Sequence, residues 1–308
     1  MVQNKPEYHV VSLSGGKDST AMLLMMLERE MHIDCILFCD TGLEFPAMYD
    51  HLAKLEKDTG RTITRIKAEH SYEYLMFETP VNRGADSPIV KRYGAENRGY
   101  GWPGPRQRWC TTRLKDMPRE RFLRELREQY MVKEYIGIAA DEQYRLERER
   151  NKNPNHVHPL VGWGMTEADC LRYCYEHGYD WSGLYEHFRR VSCWCCPLQS
   201  LEELRQLYRN YPDLWEKLKT WDRRTWRKFR ADYSVEELGV RLPNGCAIPI
   251  RMPPSIRCGA MVWRSRASFS YFPALCGLHD PAGSNSTTIL QYRALLFLPF
   301  RVIYVVPN

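Results

Sequence analysis

The sequence predicts an α/β fold: an open, mostly parallel sheet with helices on both faces, followed by a helical region that carries cysteines. Two observations lead to this prediction. Short apolar segments alternate with helical segments between residues 8 and 139, which is the pattern of a parallel sheet covered on both faces. After residue 158 the apolar strand pattern ends, and the segments at 166–177 and 200–232 have helical character, the second split near Pro212.

The elements of the predicted sheet follow one another in a regular order. Strands are predicted at 8–13, 34–38, 62–67 and 134–139, and helices at 21–30, 45–58 and 118–130. Residues 79–108 are rich in Gly, Pro and Arg and are predicted to form a long excursion, a kind of loop that is usually functional.

Length and composition indicate a folded protein of about two domains. Its 308 residues are 44% hydrophobic and 27% charged, which excludes a disordered or low-complexity chain. No signal peptide is recognisable at the start, and Arg293, Pro299 and Arg301 interrupt the most apolar late stretch, 289–306. We therefore expect a cytoplasmic protein without a membrane partner, whose eleven cysteines are reduced.

The net charge of +6 is unevenly distributed. Residues 246–308 contain six arginines, no lysine and one acid, so residues 1–245 carry 38 basic and 37 acidic side chains. The overall charge therefore says little about partners of the main body. We predict an α/β nucleotide-binding domain at 1–165, a helical cysteine-bearing region at 166–245 and an atypical, peripheral tail at 246–308.

A glycine-rich turn, SGGKDST at residues 14–20, lies between the first predicted strand and the first predicted helix. Two glycines let the backbone approach an anion, and the amides at the helix N-terminus direct positive charge towards it. Lys17 adds a cation. The spacing of a Walker A loop is absent. The pattern predicts a phosphate site, and the alternative is a tight turn in which Asp18 or Ser19 caps the helix.

This turn resembles the PP-loop of the ATP-pyrophosphatase superfamily. Three further segments resemble its phosphoadenosine-phosphosulfate (PAPS) reductase-like branch: FCDTGLEFP at 38–46, CTTRLK at 110–115 and GIAADEQYR at 137–145. In the last segment, Ala139 and Gln143 replace an arginine and a serine of the branch. The four matches lie in order within about residues 8–200.

The resemblance implies an adenine nucleotide α-hydrolase-like fold that binds ATP with Mg²⁺. The residues that it implies for nucleotide binding are Ser14, Gly15, Gly16, Lys17, Asp18, Ser19, Thr20, Asp40, Thr41, Gly42, Gly137, Asp141, Glu142 and Arg145. The residues that it implies for catalysis are Lys17, Asp18, Arg113 and Lys115.

A cysteine-rich segment, CWCCP at 193–197, follows the predicted nucleotide-binding region. Grouped thiolates are soft ligands that suit an iron–sulfur cluster or zinc. Its surroundings resemble the branch with adenylylsulfate reductases and DNA-phosphorothioation sulfur-insertion enzymes, which implies a [4Fe-4S] cluster. The predicted metal ligands are Cys110, Cys193, Cys195 and Cys196. A structural Zn²⁺ is the alternative, whereas Cys35, Cys170 and Cys174 are predicted to fill the core.

Cys276 begins a CGLH segment in the tail. It resembles the C-terminal ECGLH motif of sulfonucleotide reductases, in which the thiolate is the nucleophile. Leu275 stands where that motif has glutamate. The resemblance implies a catalytic Cys276, and the alternative is an exposed, incidental thiol.

Three functions are consistent with these features. The first is an enzyme that splits ATP into AMP and pyrophosphate to activate an acceptor for cluster-assisted sulfur transfer. The intact SGGKDST favours it, since sulfonucleotide reductases usually carry a degraded version of this loop. The second is a PAPS or adenylylsulfate reductase that uses Cys276. The third is a subunit that senses nucleotide without catalysis.

The expected partners are an adenine nucleotide and a protein that donates sulfur or electrons. A nucleic acid is a candidate acceptor, because residues 83–109 combine basic and aromatic side chains that suit phosphates and base stacking. The alternative is a solvated loop whose aromatic side chains pack on the core. The sequence indicates no oligomeric state.

Overall fold

The computed structural model describes residues 5–94, 98–148 and 152–242. Its centre is a five-stranded sheet in which every pair of neighbouring strands is parallel. The strands are β1 (Glu7–Ser12), β2 (Cys35–Cys39), β3 (Ile63–Ile66), β4 (Met131–Ile136) and β5 (His156–Val157). Their order across the sheet is β3-β2-β1-β4-β5.

This strand order creates a switch point between β1 and β4. From β1 the chain builds outward through β2 to β3, and it then crosses back to place β4 on the other side of β1. The connections therefore leave the carboxyl ends of β1 and β4 in opposite directions. In open parallel sheets the crevice at such a point is where ligands bind.

Helices cover the sheet and extend beyond it. They are α1 (Lys17–Glu28), α2 (Pro46–Thr59), α3 (Tyr72–Phe77), α4 (Pro88–Tyr93), α5 (Trp109–Thr111), α6 (Met117–Gln129), α7 (Pro159–Gly162), α8 (Glu167–Glu176), α9 (Leu184–His187), α10 (Leu201–Asn210), α11 (Pro212–Arg224) and α12 (Val235–Arg241). A π-helical turn, Thr112–Asp116, joins α5 to α6 without a break. None of the helices in the described ranges has the length and apolar character needed to cross a bilayer.

Successive residues of β1 point to opposite faces of the sheet and enter different apolar clusters. Val11 belongs to the larger cluster, which contains α1, α2 and the helices that follow β5. Val10 belongs to a smaller cluster, which it forms with Cys35, Leu123 and other side chains of β2, β4 and α6. Both faces are thus covered by helices, and the predicted α/β fold class is confirmed.

The structure also refines the predicted elements. The first helix begins at Lys17, inside the glycine-rich turn, and not at residue 21. The predicted break near Pro212 is present, because α10 ends at Asn210 and α11 begins at Pro212. Cys170 and Cys174 of α8 are fully buried, as predicted, and the Cys174 thiol donates to the Lys17 carbonyl oxygen over 3.4 Å.

Candidate functional site

A cavity of about 420 Å³ opens at the switch point between β1 and β4. The last residues of β1, β2 and β4 form its floor, including Ser12, Cys39 and Ile136. Lys115 of the π-helical turn and Arg145 provide cations at its wall. All four segments that resemble the PP-loop family, the glycine-rich turn among them, therefore contribute residues to one cavity.

The glycine-rich turn is held in a conformation that brings its backbone close to the cavity. Gly15 has a φ of +78°, and a Cβ atom there would lie 2.4 Å from Met48 Sδ. Gly16 is the N-cap of α1. The hydroxyl groups of Ser14 and Ser19 lie 2.9 Å apart. This arrangement of glycines, hydroxyls and helix N-terminus fits a phosphate group.

Of the turn, Ser14 and Ser19 line the cavity, and Thr20 does not. Its side chain is fully buried, and its hydroxyl oxygen lies 3.0 Å from His51 Nε2. Burial lowers the pKa of His51 to about 3, so this imidazole is neutral at physiological pH. Thr20 thus anchors α1 to α2 instead of reaching towards a ligand.

Lys17 lies among three carboxylates. Its Nζ is 3.1 Å from Glu167 and 3.4 Å from Asp18, and one carboxylate oxygen each from Asp18, Glu142 and Glu167 lies within 4.8 Å of the others. Burial raises the pKa of Asp18 to about 6, and its Oδ1 is buried without a hydrogen-bond partner. Hard carboxylate oxygens of this kind suit Mg²⁺.

Other charged groups fix the positions of these carboxylates. Arg145 and Arg190 both bind Glu142, the latter over 2.6 Å. Asp141 accepts a hydrogen bond of 3.0 Å from the backbone amide of Glu167. Asp141, although predicted to contact the nucleotide, is therefore engaged with the first turn of α8.

The end of β2 forms a second polar group of the site. Asp40 accepts hydrogen bonds of 2.9 Å from the amide of Gly42 and from the hydroxyl of Tyr49. Burial alone would raise the pKa of Asp40, but these hydrogen bonds and Lys67 hold it below its usual value. The hydroxyl of Thr41 donates to Glu44 over 2.8 Å. These contacts fix the segment that leads from the cavity towards the cysteines.

Glu134 is a buried carboxylate in the middle of β4, on the side of the cavity. It accepts hydrogen bonds from Ser12 over 2.5 Å and from Arg119 over 2.6 Å, and His156 Nε2 lies 3.4 Å away. Burial would raise the pKa of Glu134, but these three partners lower it to about 2. Glu134 is therefore ionised, and Arg119, which also lines the cavity, balances its charge.

Four cysteines converge beside the cavity. Cys110 lies on α5, and Cys193, Cys195 and Cys196 lie in the loop between α9 and α10. The amide of Trp194 anchors this loop by donating to the Leu43 carbonyl over 3.0 Å. None of the cysteines in the described ranges forms a disulfide.

The four thiols influence one another electrostatically. Burial raises the pKa of Cys193 to about 11, with Lys115 opposing the shift and Cys196 and Cys110 adding to it. Burial likewise raises the pKa of Cys195 well above its usual value, and the other three cysteines contribute. The side chain of Cys195 is almost completely buried. We call these four residues the cysteine centre.

The spacing of the cysteine centre bears on the choice of metal. Across residues 5–94, 98–148 and 152–242, no three cysteine sulfurs lie within 4.8 Å of one another. A tetrahedral zinc ion holds its sulfur ligands about 3.8 Å apart. In a [4Fe-4S] cluster each cysteine binds a different iron, so the sulfurs lie farther apart. In the described residues the four thiols are not drawn together as closely as the ligands of a bound zinc ion, and the soft donor set itself fits a cluster or zinc.

Lys115 connects the cavity with the cysteine centre. Its side chain lines the cavity. Burial alone would lower the pKa of Lys115, but Cys193, Glu44 and two further cysteines, Cys39 and Cys110, raise it. Its carbonyl oxygen accepts from the Cys39 thiol over 3.8 Å. The π-helical turn that carries Lys115 is a rare element that occurs frequently at functional sites.

A family comparison identifies this arrangement. The model of the phosphoadenosine phosphosulfate reductase domain matches residues 8–199, a range that contains the turn, the cavity and the cysteine centre. The chain belongs to the phosphoadenosine phosphosulfate (PAPS) reductase domain family. The family takes its name from an enzyme domain.

Two proteins of Methanocaldococcus jannaschii are similar to this PAPS reductase-family chain. One is 27% identical over 216 residues and the other 25% over 222 residues, which is 68% and 70% of this chain. The chain spans 40% and 48% of their lengths. Among solved structures, the PAPS reductase from Candida auris in its phosphate complex aligns with a TM-score of 0.39 and 16% identity. The alignment covers 63% of this chain and 83% of that one.

The folded structure shows further residues at the site, beyond those predicted from the sequence. Glu167 lies on α8, and Tyr185 follows later in the chain. The Tyr185 hydroxyl accepts from the Lys17 amide over 2.7 Å, and Trp181 Nε1 donates to the Gly15 carbonyl over 2.7 Å. Side chains that lie more than 160 positions later in the chain thus hold the backbone of the glycine-rich turn in place. The Leu184-Tyr185 pair is part of the resemblance to the iron–sulfur branch and is the sequence signal for Tyr185 alone.

The basic and aromatic stretch at 83–109 divides into buried and exposed parts. Trp102 is fully buried, and its Nε1 donates to Asp222 over 2.8 Å. This side chain therefore packs on the core and is not available to stack on a base. Arg113, a predicted catalytic residue, is exposed and donates to the Tyr100 hydroxyl over 3.1 Å. Arg106 and Arg108 are exposed. Cys276 lies outside the residues that the structure describes.

Proposed function

We propose that this chain is an ATP-pyrophosphatase-type sulfurtransferase. It would adenylate an acceptor with ATP and then replace AMP by sulfur delivered at the cysteine centre. The observation that carries this proposal is the position of Lys115, whose side chain lines the cavity and is electrostatically coupled to Cys193. A nucleotide-activated acceptor in the cavity would therefore lie next to the thiols.

The glycine-rich turn would bind the phosphates of ATP. Ser14 and Ser19, at the N-terminal end of α1, line the cavity, and a helix N-terminus with nearby hydroxyls favours a bound phosphate. Asp18, Glu142 and Glu167 would hold Mg²⁺, which partly neutralises the phosphates and the three carboxylates together. Lys17 would then exchange a carboxylate partner for a phosphate oxygen.

The first chemical step would join the acceptor to AMP. An acceptor oxygen forms a bond to the α-phosphorus, and the bond from that phosphorus to the bridging oxygen breaks. Its electron pair leaves with pyrophosphate. Lys17 and the bound Mg²⁺ would stabilise the charge that develops on the departing oxygens.

The second step would use the cysteine centre. Cys110, Cys193 and Cys196 would hold a [4Fe-4S] cluster, with Cys195 as the fourth candidate ligand. When bound, the cluster would supply iron that binds and presents a sulfur atom. Sulfide forms the new bond to the acceptor carbon. The bond between that carbon and the oxygen carried by AMP breaks, and its electron pair leaves with AMP. Lys115 lies where it can neutralise the AMP phosphate.

An anaerobic calorimetric titration with Mg-ATP, PAPS and adenylylsulfate tests this function. We expect preferential binding of Mg-ATP, and we expect Lys17→Ala to weaken it by at least about tenfold, since one charge-assisted contact is lost. Lys54→Ala is the control, because Lys54 is exposed and pairs with Asp58 on α2. Unchanged affinity in the Lys17 variant would contradict the phosphate assignment.

A second candidate function is a PAPS or adenylylsulfate reductase with Cys276 as nucleophile. The family name and the CGLH segment favour it. Preferential binding of a sulfonucleotide in the same titration would select it. Tight binding of ATP without pyrophosphate release in the presence of acceptors would instead indicate a nucleotide sensor.

The acceptor is proposed to be a nucleic acid. Arg106 and Arg108 are exposed and form no ion pair with an acid in the described part of the chain, and Arg108 is close enough to lower the pKa of Cys110 and Cys196 against the effect of burial. Unpaired arginines beside the reaction centre suit a polyanion. Replacing both by alanine should weaken binding of single-stranded RNA or DNA and reduce its salt dependence.

A further inference from the structure

Tyr72 has a buried hydroxyl group without a hydrogen-bond partner. The residue is 3% exposed, and its oxygen meets no donor or acceptor in the described structure. Such groups are rare in folded proteins, since an unsatisfied buried hydroxyl destabilises the fold. The hydroxyl of Tyr72 therefore requires an explanation, and a bound group that accepts its proton is one.

The surroundings of this hydroxyl indicate which group that is. Burial raises the pKa of Tyr72, and the next contributions come from Cys195, Cys110, Cys193 and Cys196. The ring contacts agree with this, because Trp109, which stacks on Tyr72, is the residue before Cys110. Trp221 also stacks on Tyr72, and its ring lies 5.2 Å from that of Trp194, between Cys193 and Cys195. The cysteine centre therefore lies beside this phenol. No sulfur of the described residues lies within hydrogen-bonding distance of this hydroxyl, so its proton is available to a group bound at the cysteine centre.

The ring of Tyr72 cannot easily turn away from this position. It is stacked against Trp109 at a centroid distance of 5.0 Å and against Trp221 at 5.5 Å. Both contacts are close to parallel, at 28° and 26°. A ring clamped on both faces keeps its oxygen at a fixed point, so the donor is preorganised.

We propose that the Tyr72 hydroxyl donates a hydrogen bond to an anionic sulfur of the metal centre, a sulfide or a thiolate of the iron–sulfur cluster. This proposal rests on the cluster of the proposed function. Hydrogen bonds to cluster sulfurs stabilise the more negative, reduced state and set the reduction potential. Tyr72 is thus assigned as a residue that positions and tunes the cluster.

The test compares wild-type protein with Tyr72→Phe, both as full chains, in metal-free and iron–sulfur-reconstituted forms. In the metal-free form, we expect Tyr72→Phe to melt at the wild-type temperature or up to about 4 °C higher, because an unsatisfied hydroxyl is removed. In the reconstituted form, we expect loss of iron to a chelator about tenfold faster and a lower reduction potential.

Tyr130→Phe is the matched control. Tyr130 packs against the smaller apolar cluster, away from the cysteine centre, and its substitution should leave iron retention and potential unchanged. If Tyr72→Phe retains iron and potential like wild type, the assignment of Tyr72 is wrong while the cluster stands. If wild-type protein takes up no iron under reconstitution, both the cluster and the role of Tyr72 are overturned.

Discussion

Asp18 is the carboxylic acid of the candidate site whose ionisation the ligand-free protein disfavours. Its pKa is about 6 in the folded chain against an ordinary value of 3.8. The folded state therefore holds this proton more tightly than the unfolded state. The resulting stabilisation is fully present below about pH 4 and is lost as the pH rises through about 6.

Asp18→Asn tests both the destabilisation caused by the ionised Asp18 and the role of Asp18 in metal binding. At pH 8 we expect the ligand-free variant to be more stable than wild type by roughly 1–2 kcal/mol, because a buried charge is removed. We expect a smaller stabilisation by Mg-ATP, since one Mg²⁺ ligand is lost. Thermal denaturation with and without Mg-ATP measures both effects. An undiminished response to Mg-ATP would exclude Asp18 as a ligand.

The cysteine centre gives a second prediction at the residue scale. Cys193→Ala combined with Cys196→Ala should abolish bound iron, because two of the proposed ligands are absent. Elemental analysis after anaerobic reconstitution measures this. Cys35→Ala is the control, since Cys35 is buried in the smaller apolar cluster and should not affect iron content. Stoichiometric iron in the double variant would place the ligands elsewhere.

At the scale of elements, the contact between β4 and α1 shapes the phosphate site. A Cβ atom at Gly137 would lie 2.9 Å from Ser19 Cα and 3.0 Å from Ser19 N. These are backbone atoms, so rotation of a side chain cannot relieve the clash. The loop after β4 can therefore approach the first turn of α1 only with glycine at this position.

Gly137→Ala should accordingly push the loop after β4 away from α1. We expect a loss of stability of about 1–3 kcal/mol and weaker binding of Mg-ATP, measured by denaturation and calorimetry. Gly162→Ala is the control, because a Cβ atom there would meet nothing within 4 Å. Equal effects of both substitutions would contradict the role of the close approach.

Sequence patterns were sufficient to locate some strands of the sheet and not others. The apolar strands β1 and β2 are visible in the sequence because their side chains are buried on both faces. The sequence pattern predicts that the fourth strand begins at Glu134, whereas β4 begins at Met131 and Glu134 lies in its middle. Isolated glutamates are rarely buried, and only the folded chain brings Arg119 and His156 to this one.

At the scale of the whole molecule, the sequence predicted that the family segments converge, because the carboxyl ends of parallel strands share one edge of the sheet. The partners that come from distant parts of the chain were not predictable in this way. Glu167 reaches Lys17 across 150 positions, and Tyr72 precedes three of its cysteine neighbours by more than 120. Such contacts depend on how the later helices pack on the sheet.

Deletion of residues 246–308 tests whether the molecule up to residue 245 is sufficient for binding. Among the described residues, those that line the cavity and those of the cysteine centre lie between Ser12 and Cys196, well before the tail. We therefore expect the shortened chain to bind Mg-ATP and iron with unchanged stoichiometry, as measured by calorimetry and elemental analysis. The variant to compare with it is the full chain with Cys276→Ser. If Cys276 is the nucleophile of a reductase, both proteins lose sulfite release while retaining nucleotide and iron. If the shortened chain fails to fold while Cys276→Ser behaves like wild type, the tail is a structural part of the protein, and the prediction that it is peripheral is wrong.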